Sequence, residues 1–149
     1  MLGTPYYMAP ETLRSPDRID ARSDVYSLGA TAYFLLTGKP VFDGSSADVF
    51  AQLLRDEPVP PSKRLGREVP ASLEALVLTA LAKGPGERPE SVGAFEAALA
   101  ACRDVTPWND AEASAWWRSR RPLIRASRAN AASSRTGSEE QTLVIGRLS

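Results

Sequence analysis

Histidine is absent from the 149 residues. That removes the commonest general acid–base side chain and the commonest metal ligand together. A single cysteine, Cys102, excludes an internal disulfide framework and a cysteine-rich metal site. Lysine is scarce: Lys39, Lys63 and Lys83 stand against fifteen arginines. No apolar run reaches the ~18 residues that a membrane span requires. The N-terminus shows neither the basic nor the apolar region of a signal peptide. Net charge is missing too, with 18 basic and 18 acidic residues, so no global pull toward nucleic acid exists. These absences together predict a cytoplasmic protein without a membrane span, a tightly bound metal or a nucleic-acid partner.

What is present is a set of helical patterns in a chain that is 43% hydrophobic. An ordered part is predicted over residues 1–103, with no convincing strand and no internal repeat. A short helix is expected at 9–14. Residues 22–36, "RSDVYSLGATAYFLL", are apolar on nearly every face, which marks a buried helix. Ser23 and Asp24 fit its N-cap and first turn, and Gly38 followed by Pro40 stops it. Residues 46–56 carry Val49, Phe50, Leu53 and Leu54 at helical spacing, and "EPVPP" then breaks the pattern. Further helices are predicted at 70–83, with Pro70 in the first turn and Gly84 as the stop, and at 91–102, capped by Ser91.

Residues 104–121 read as a linker with a short helix at 110–120, opened by Asn109 with Glu112 three positions on. Residues 122–149 read as a disordered basic tail. Six arginines and no acids lie between 118 and 135, and such runs are usually solvated rather than docked. The β-prone "TLVIG" at 142–146 reads as a frayed terminus, and Thr142 after "EEQ" as an unmodified position.

"GTPYYMAPE" at residues 3–11 resembles the end of the activation segment of serine/threonine protein kinases. Further features follow in the family's order. "DVYSLG" at 24–29 is similar to the start of the large central helix of the kinase C-terminal lobe. "LLTGKPVF" at 35–42 is similar to that helix's exit, and "RP" at 88–89 to the lobe's late arginine. The phrasing most resembles bacterial kinases of the eukaryotic type. Taken singly, Glu11 and Arg88 are ordinary charges, Asp24 a helix cap and Thr4 a turn residue. The resemblance rests on their joint order. It implies a mainly α, partial protein-kinase-like fold: the helical C-lobe from the end of the activation segment onward.

The resemblance also implies roles. Gly3, Thr4, Pro5, Tyr6, Tyr7 and Met8 would form the loop that receives the substrate beside its phosphorylated residue. Thr4 with Pro5 would mark serine or threonine substrates. Glu11 would pair with Arg88, tying the loop to the lobe, and Asp24 would accept hydrogen bonds from the catalytic-loop backbone. The family uses ATP and magnesium. The parts that handle them are a glycine loop, a lysine on the phosphates, a catalytic aspartate and metal ligands. None of these is found here. "GPGERP" at 84–89 ends in proline, no lysine sits in a "VAIK"-like strand, and "FDG" at 42–44 is a scrambled Asp-Phe-Gly. No catalytic residue, cofactor site or metal site is therefore assigned.

The expectation is a truncated kinase domain whose parent family transfers the ATP γ-phosphate to protein serine or threonine. The alternative is a non-catalytic scaffold or decoy module that binds kinase partners or substrates. Because several of its packing partners are not in the sequence, helix 22–36 is expected to bare an apolar side, open to self-association.

Overall fold

The computed structural model describes residues 5–103, 105 and 109–145, with side chains up to Ser127 in the last helix. Gly3 and Thr4 lie outside the described residues. The chain divides into two compact units, Met1–Thr106 and Pro107–Ser149. Among the described residues every regular element is helical.

The first unit is built around α2 (Ala21–Thr37). Its N-cap is Asp20, which accepts from the Arg22 backbone N–H at 2.8 Å. The helix thus starts earlier than Ser23 and Asp24 suggested, and Ser23 lies inside it. Gly38 ends it in the left-handed region at φ 69°, where a side chain would be strained. The helix has one fully buried face, formed by Val25, Tyr26, Gly29, Ala30 and Tyr33. Asp24, Leu28, Thr31 and Leu35 share the opposite, exposed face, where Leu35 is 78% accessible.

The other helices of this unit pack around it. A 3-10 turn at Pro5–Tyr7 leads into α1 (Glu11–Arg14). α3 (Ser46–Arg55) begins at a capping box, in which Ser45 and Asp48 satisfy each other's backbone N–H groups. α4 (Pro61–Leu65) was not expected. Its prolines read as breakers, yet Pro61 occupies the first helical position, where the missing N–H has no partner to lose. α5 (Ala71–Ala80) stops short of Gly84, because its last carbonyls are already closed by the Leu81 N–H. α6 (Val92–Ala100) starts at Ser91, as its cap predicts.

One core joins Tyr26, Tyr33, Val41, Phe42, Val49, Leu53, Val77 and Leu81, all buried. Burial of side chains this size contributes on the order of 1.5–3 kcal/mol each. A second cluster packs Val25 with Ala80 and Phe95. α2 and α5 approach closely at Gly29, where an added Cβ would stand 2.8 Å from the Ala80 Cβ. The Tyr33 hydroxyl reaches out of the core to donate to the Val59 carbonyl at 2.9 Å.

The second unit holds α7 (Asp110–Ile145). Asn109 caps it, accepting from the N–H groups of Ala111 and Glu112. The sequence reading ended this helix at 120 and read 122–149 as a disordered tail, whereas the helix runs on to Ile145. The helix continues through Pro122 and includes Thr142–Ile145, which also replaces the frayed terminus. From Leu123 to Thr136 the chain contains no glycine or proline, and its alanines and arginines favour helix. Charge alone was a poor guide to its structure.

Candidate substrate-loop anchor

Glu11 lies at the start of α1 and Arg88 follows the 3-10 turn Pro85–Glu87, so both are set by short turns, one before and one after α2 in the chain. The proline and glycine of "GPGERP" make that turn, and Glu87 closes it by accepting from the Gly84 N–H. Arg88 then swings inward. Its Nη1 donates to Glu11 Oε1 at 2.7 Å and its Nη2 to Glu11 Oε2 at 2.8 Å. This is a two-pronged pair, the strong form of arginine–carboxylate contact.

The remaining donors are also used. Arg88 Nε donates to the Ala82 carbonyl at 2.8 Å, Nη1 to the Arg22 carbonyl at 3.0 Å, and Nη2 to the Lys83 carbonyl at 3.3 Å. All five N–H groups of the guanidinium therefore have acceptors. Its central carbon Cζ lies over the Tyr26 ring, 4.9 Å from the centroid. The Arg88 side chain is fully buried. Ser23 completes the site, with its hydroxyl donating to Glu11 Oε1 at 2.6 Å. Burial pushes the Glu11 carboxyl up, but hydrogen bonds from Arg88 and Ser23 outweigh it and hold its pKa down at about 2.

This anchor fixes the segment just before it. Ala9 and Pro10 are buried, and Tyr6, Tyr7 and Met8 pack half-buried against the main core. Ser27 on α2 donates to the Tyr7 carbonyl at 2.9 Å. Tyr6 donates from its hydroxyl to the Gly44 carbonyl at 3.4 Å, next to α3. Pro5, Tyr6, Tyr7 and Met8 thus form one short shelf on α2 and α3, leading directly into Glu11. Asp24, by contrast, is exposed in the first turn of α2 and has no hydrogen-bond partner among the described residues.

Among the described residues no group of three acidic or metal-ligating side chains converges. Lys83, a half-buried lysine, is already committed. Its ammonium donates to the Leu53 and Gln52 carbonyls at the end of α3 and sits 4.4 Å from the Phe42 ring centroid. Burial lowers its pKa to about 8, against the pull of Glu57 and Asp56.

Two kinds of partner in this geometry were not foreseen. Ser23 was read as a cap, and nothing local in "RSDVY" signals a bond to a residue twelve positions back. The carbonyls of Arg22, Ala82 and Lys83 carry no side-chain signature at all.

Comparison with known proteins agrees with the geometry. Residues 1–100 match the protein kinase domain family. The chain is 44% identical over 108 residues to the serine/threonine-protein kinase PknB of Mycobacterium tuberculosis, covering 72% of this chain and 17% of that protein. PknB of Mycolicibacterium smegmatis is 46% identical over 100 residues, covering 66% and 16%. Pkn3 of Myxococcus xanthus is 44% identical over 101 residues, covering 66% and 18%. The chain thus spans less than a fifth of the length of these relatives. No described helix is long and apolar enough to cross a membrane. With residues 1–100 matching its model and a helical lobe that joins Glu11 to Arg88, the chain belongs to the protein kinase domain family.

Proposed function

We propose that these residues form the substrate-side half of a serine/threonine protein kinase domain, which holds the substrate loop in place while other residues of such a domain supply the chemistry. The observation that carries this reading is the buried Glu11–Arg88 pair, which leaves the shelf of Pro5, Tyr6, Tyr7 and Met8 anchored at its C-terminal end. In this reading Gly3 and Thr4 belong to the same substrate loop, and the substrate is a protein serine or threonine. Asp24, exposed and without a partner among the described residues, is the group that receives the catalytic-loop backbone.

The 149 residues by themselves transfer no phosphoryl group and take up no ATP through a kinase nucleotide site. They contain no His-Arg-Asp, no Asp-Phe-Gly and no phosphate-binding glycine loop. The test is incubation of the purified chain with radiolabelled ATP, magnesium and a generic protein substrate. No incorporation and no saturable ATP binding are expected, and stoichiometric binding or autophosphorylation would overturn this. The substrate-side role is tested by grafting residues 1–100 onto the ATP-binding half of an active relative. The graft should phosphorylate serine or threonine, and Tyr7→Ala in the graft should raise KM for peptide more than KM for ATP. A substrate-trapping scaffold is the second reading, favoured by the shelf being anchored in this chain alone. It predicts capture of kinase substrates by the chain, lost in Tyr7→Ala.

A further inference from the structure

Outside the kinase-like unit, α7 carries a pattern that the substrate-side function does not use. At about 100° per residue, Trp116, Leu123, Ile124 and Trp117 fall within an arc of about 120° on the helix. Arg118, Arg121 and Arg125 fall within about 60° on the arc beside it. Between Ala113 and Ser127 there are four arginines and no acid. The apolar arc is open to solvent: Trp117 is 51% and Leu123 is 68% accessible. Arg120 lies within that arc but stacks its guanidinium 4.9 Å from the Trp116 ring centroid, with the two tryptophan rings edge to face at 5.0 Å. Ser114, Trp117, Arg118 and Arg121 line a shallow groove along the boundary between the two arcs.

We propose that residues 113–127 of α7 lie flat on an anionic lipid bilayer, with the Trp116, Trp117, Leu123 and Ile124 arc sunk among the acyl chains and the arginine row on the headgroups. A helix that is polar and basic on one arc and bulky and apolar on the next is built for an interface rather than for water or for a span. Tryptophan favours the headgroup level, where its ring is buried and its N–H stays wet. Arginine stems can lie along the apolar surface while their charges reach phosphate. Charge complementarity selects this occupant. A second copy of the helix would bring arginine against arginine, with no acid between 113 and 127 to pair with in either orientation. A nucleic acid would satisfy the arginines and leave the Leu123 and Ile124 side chains in water.

The experiment uses the full chain with Trp108→Phe, so that emission comes from Trp116 and Trp117. Vesicles of phosphatidylcholine alone, and of phosphatidylcholine with phosphatidylglycerol, are titrated in while fluorescence and co-sedimentation are followed. A blue shift and sedimentation with the anionic vesicles are expected, with little of either on the neutral ones. Each of Arg118→Ala, Arg121→Ala and Arg125→Ala should weaken binding about fivefold. Raising the salt well above physiological strength should weaken wild-type binding as well. Trp117→Ser with Leu123→Ser should abolish it, with circular dichroism showing the helix retained. Equal binding to both vesicle types, or binding indifferent to salt, would overturn the proposal. So would a blue shift that grows with protein concentration in the absence of vesicles, which identifies a second copy as the occupant.

Discussion

The Arg88 guanidinium closes on both oxygens of the Glu11 carboxylate although 77 positions separate them in the chain. Each half of the pair is buried and each is satisfied only by the other and its immediate neighbours. Replacing such a pair by apolar residues need not cost stability, but removing one partner leaves a charge without a counterpart. Arg88→Ala should therefore lower unfolding free energy by about 3–5 kcal/mol in chemical denaturation. The double variant Glu11→Ala, Arg88→Ala should lose less than the sum of the two single changes. Arg88→Lys should recover little, since an ammonium cannot reproduce the fork or reach the Ala82, Arg22 and Lys83 carbonyls together. Additive single effects would show that the pair is not coupled.

The same pair makes stability fall in acid. Burial raises the Glu11 pKa, while the Arg88 and Ser23 hydrogen bonds lower it further, from 4.5 to about 2. A carboxylate held low in the folded state contributes fully above its unfolded pKa. That contribution disappears as pH falls from about 4.5 toward about 2. The loss should be about 3 kcal/mol, from roughly 1.4 kcal/mol per pKa unit. Urea midpoints measured across that window should fall for the wild type and flatten for Glu11→Gln, which starts lower. Ser23→Ala should move the midpoint of the acid transition upward, because one of the bonds holding Glu11 ionised is gone.

Lys83 should add a second pH dependence at alkaline pH. Burial lowers its pKa from 10.5 to about 8, so the unfolded chain holds this proton more tightly than the folded one. Stability should rise with pH between about 8 and 10, by on the order of 2 kcal/mol once its partial solvent access is allowed for. Above pH 10 the gain reverses, because burial raises the Tyr26 pKa and only the unfolded chain then ionises that tyrosine. Lys83→Met should remove the rise between 8 and 10 and leave the later fall. It should also loosen the end of α3, whose Gln52 and Leu53 carbonyls lose their donor. Amide exchange along α3 reads that loosening directly.

Much of this architecture was legible in the residues, and its gaps have physical causes. Glu11 and Arg88 were picked out because their sequence settings resemble a family in which they meet. Ser91 and Gly38 announced helix ends through local chemistry, which acts over three or four residues. Ser23 escaped because its partner is reached through tertiary packing, and packing has no local signature. Pro60–Pro61 misled because proline breaks a helix interior but opens a first turn. Residues 110–120 were read as a helix from the Asn109 cap and 118–135 by charge count, where the 3.6-residue spacing of Trp116, Trp117, Leu123 and Ile124 held the information.

Gly29 gives the last expectation. It sits in the middle of α2, where glycine costs about 1 kcal/mol relative to alanine by intrinsic propensity. On propensity alone, Gly29→Ala should stabilise the protein. The added methyl, however, would stand 2.8 Å from the Ala80 Cβ and 3.3 Å from the Ala80 carbonyl carbon. Neither atom belongs to a flexible side chain, and Ala80 is fully buried. Relief requires α2 and α5 to separate, which opens the contacts of Val25, Val77 and Leu81 on either side. Overpacking of this kind costs about 1–3 kcal/mol and wins over the propensity gain. Gly29→Ala should therefore lower the melting temperature. Ala80→Gly in the same chain should restore part of the loss, since it removes the methyl that collides. A melting temperature raised by Gly29→Ala alone would mean that the two helices have room to spare at this crossing.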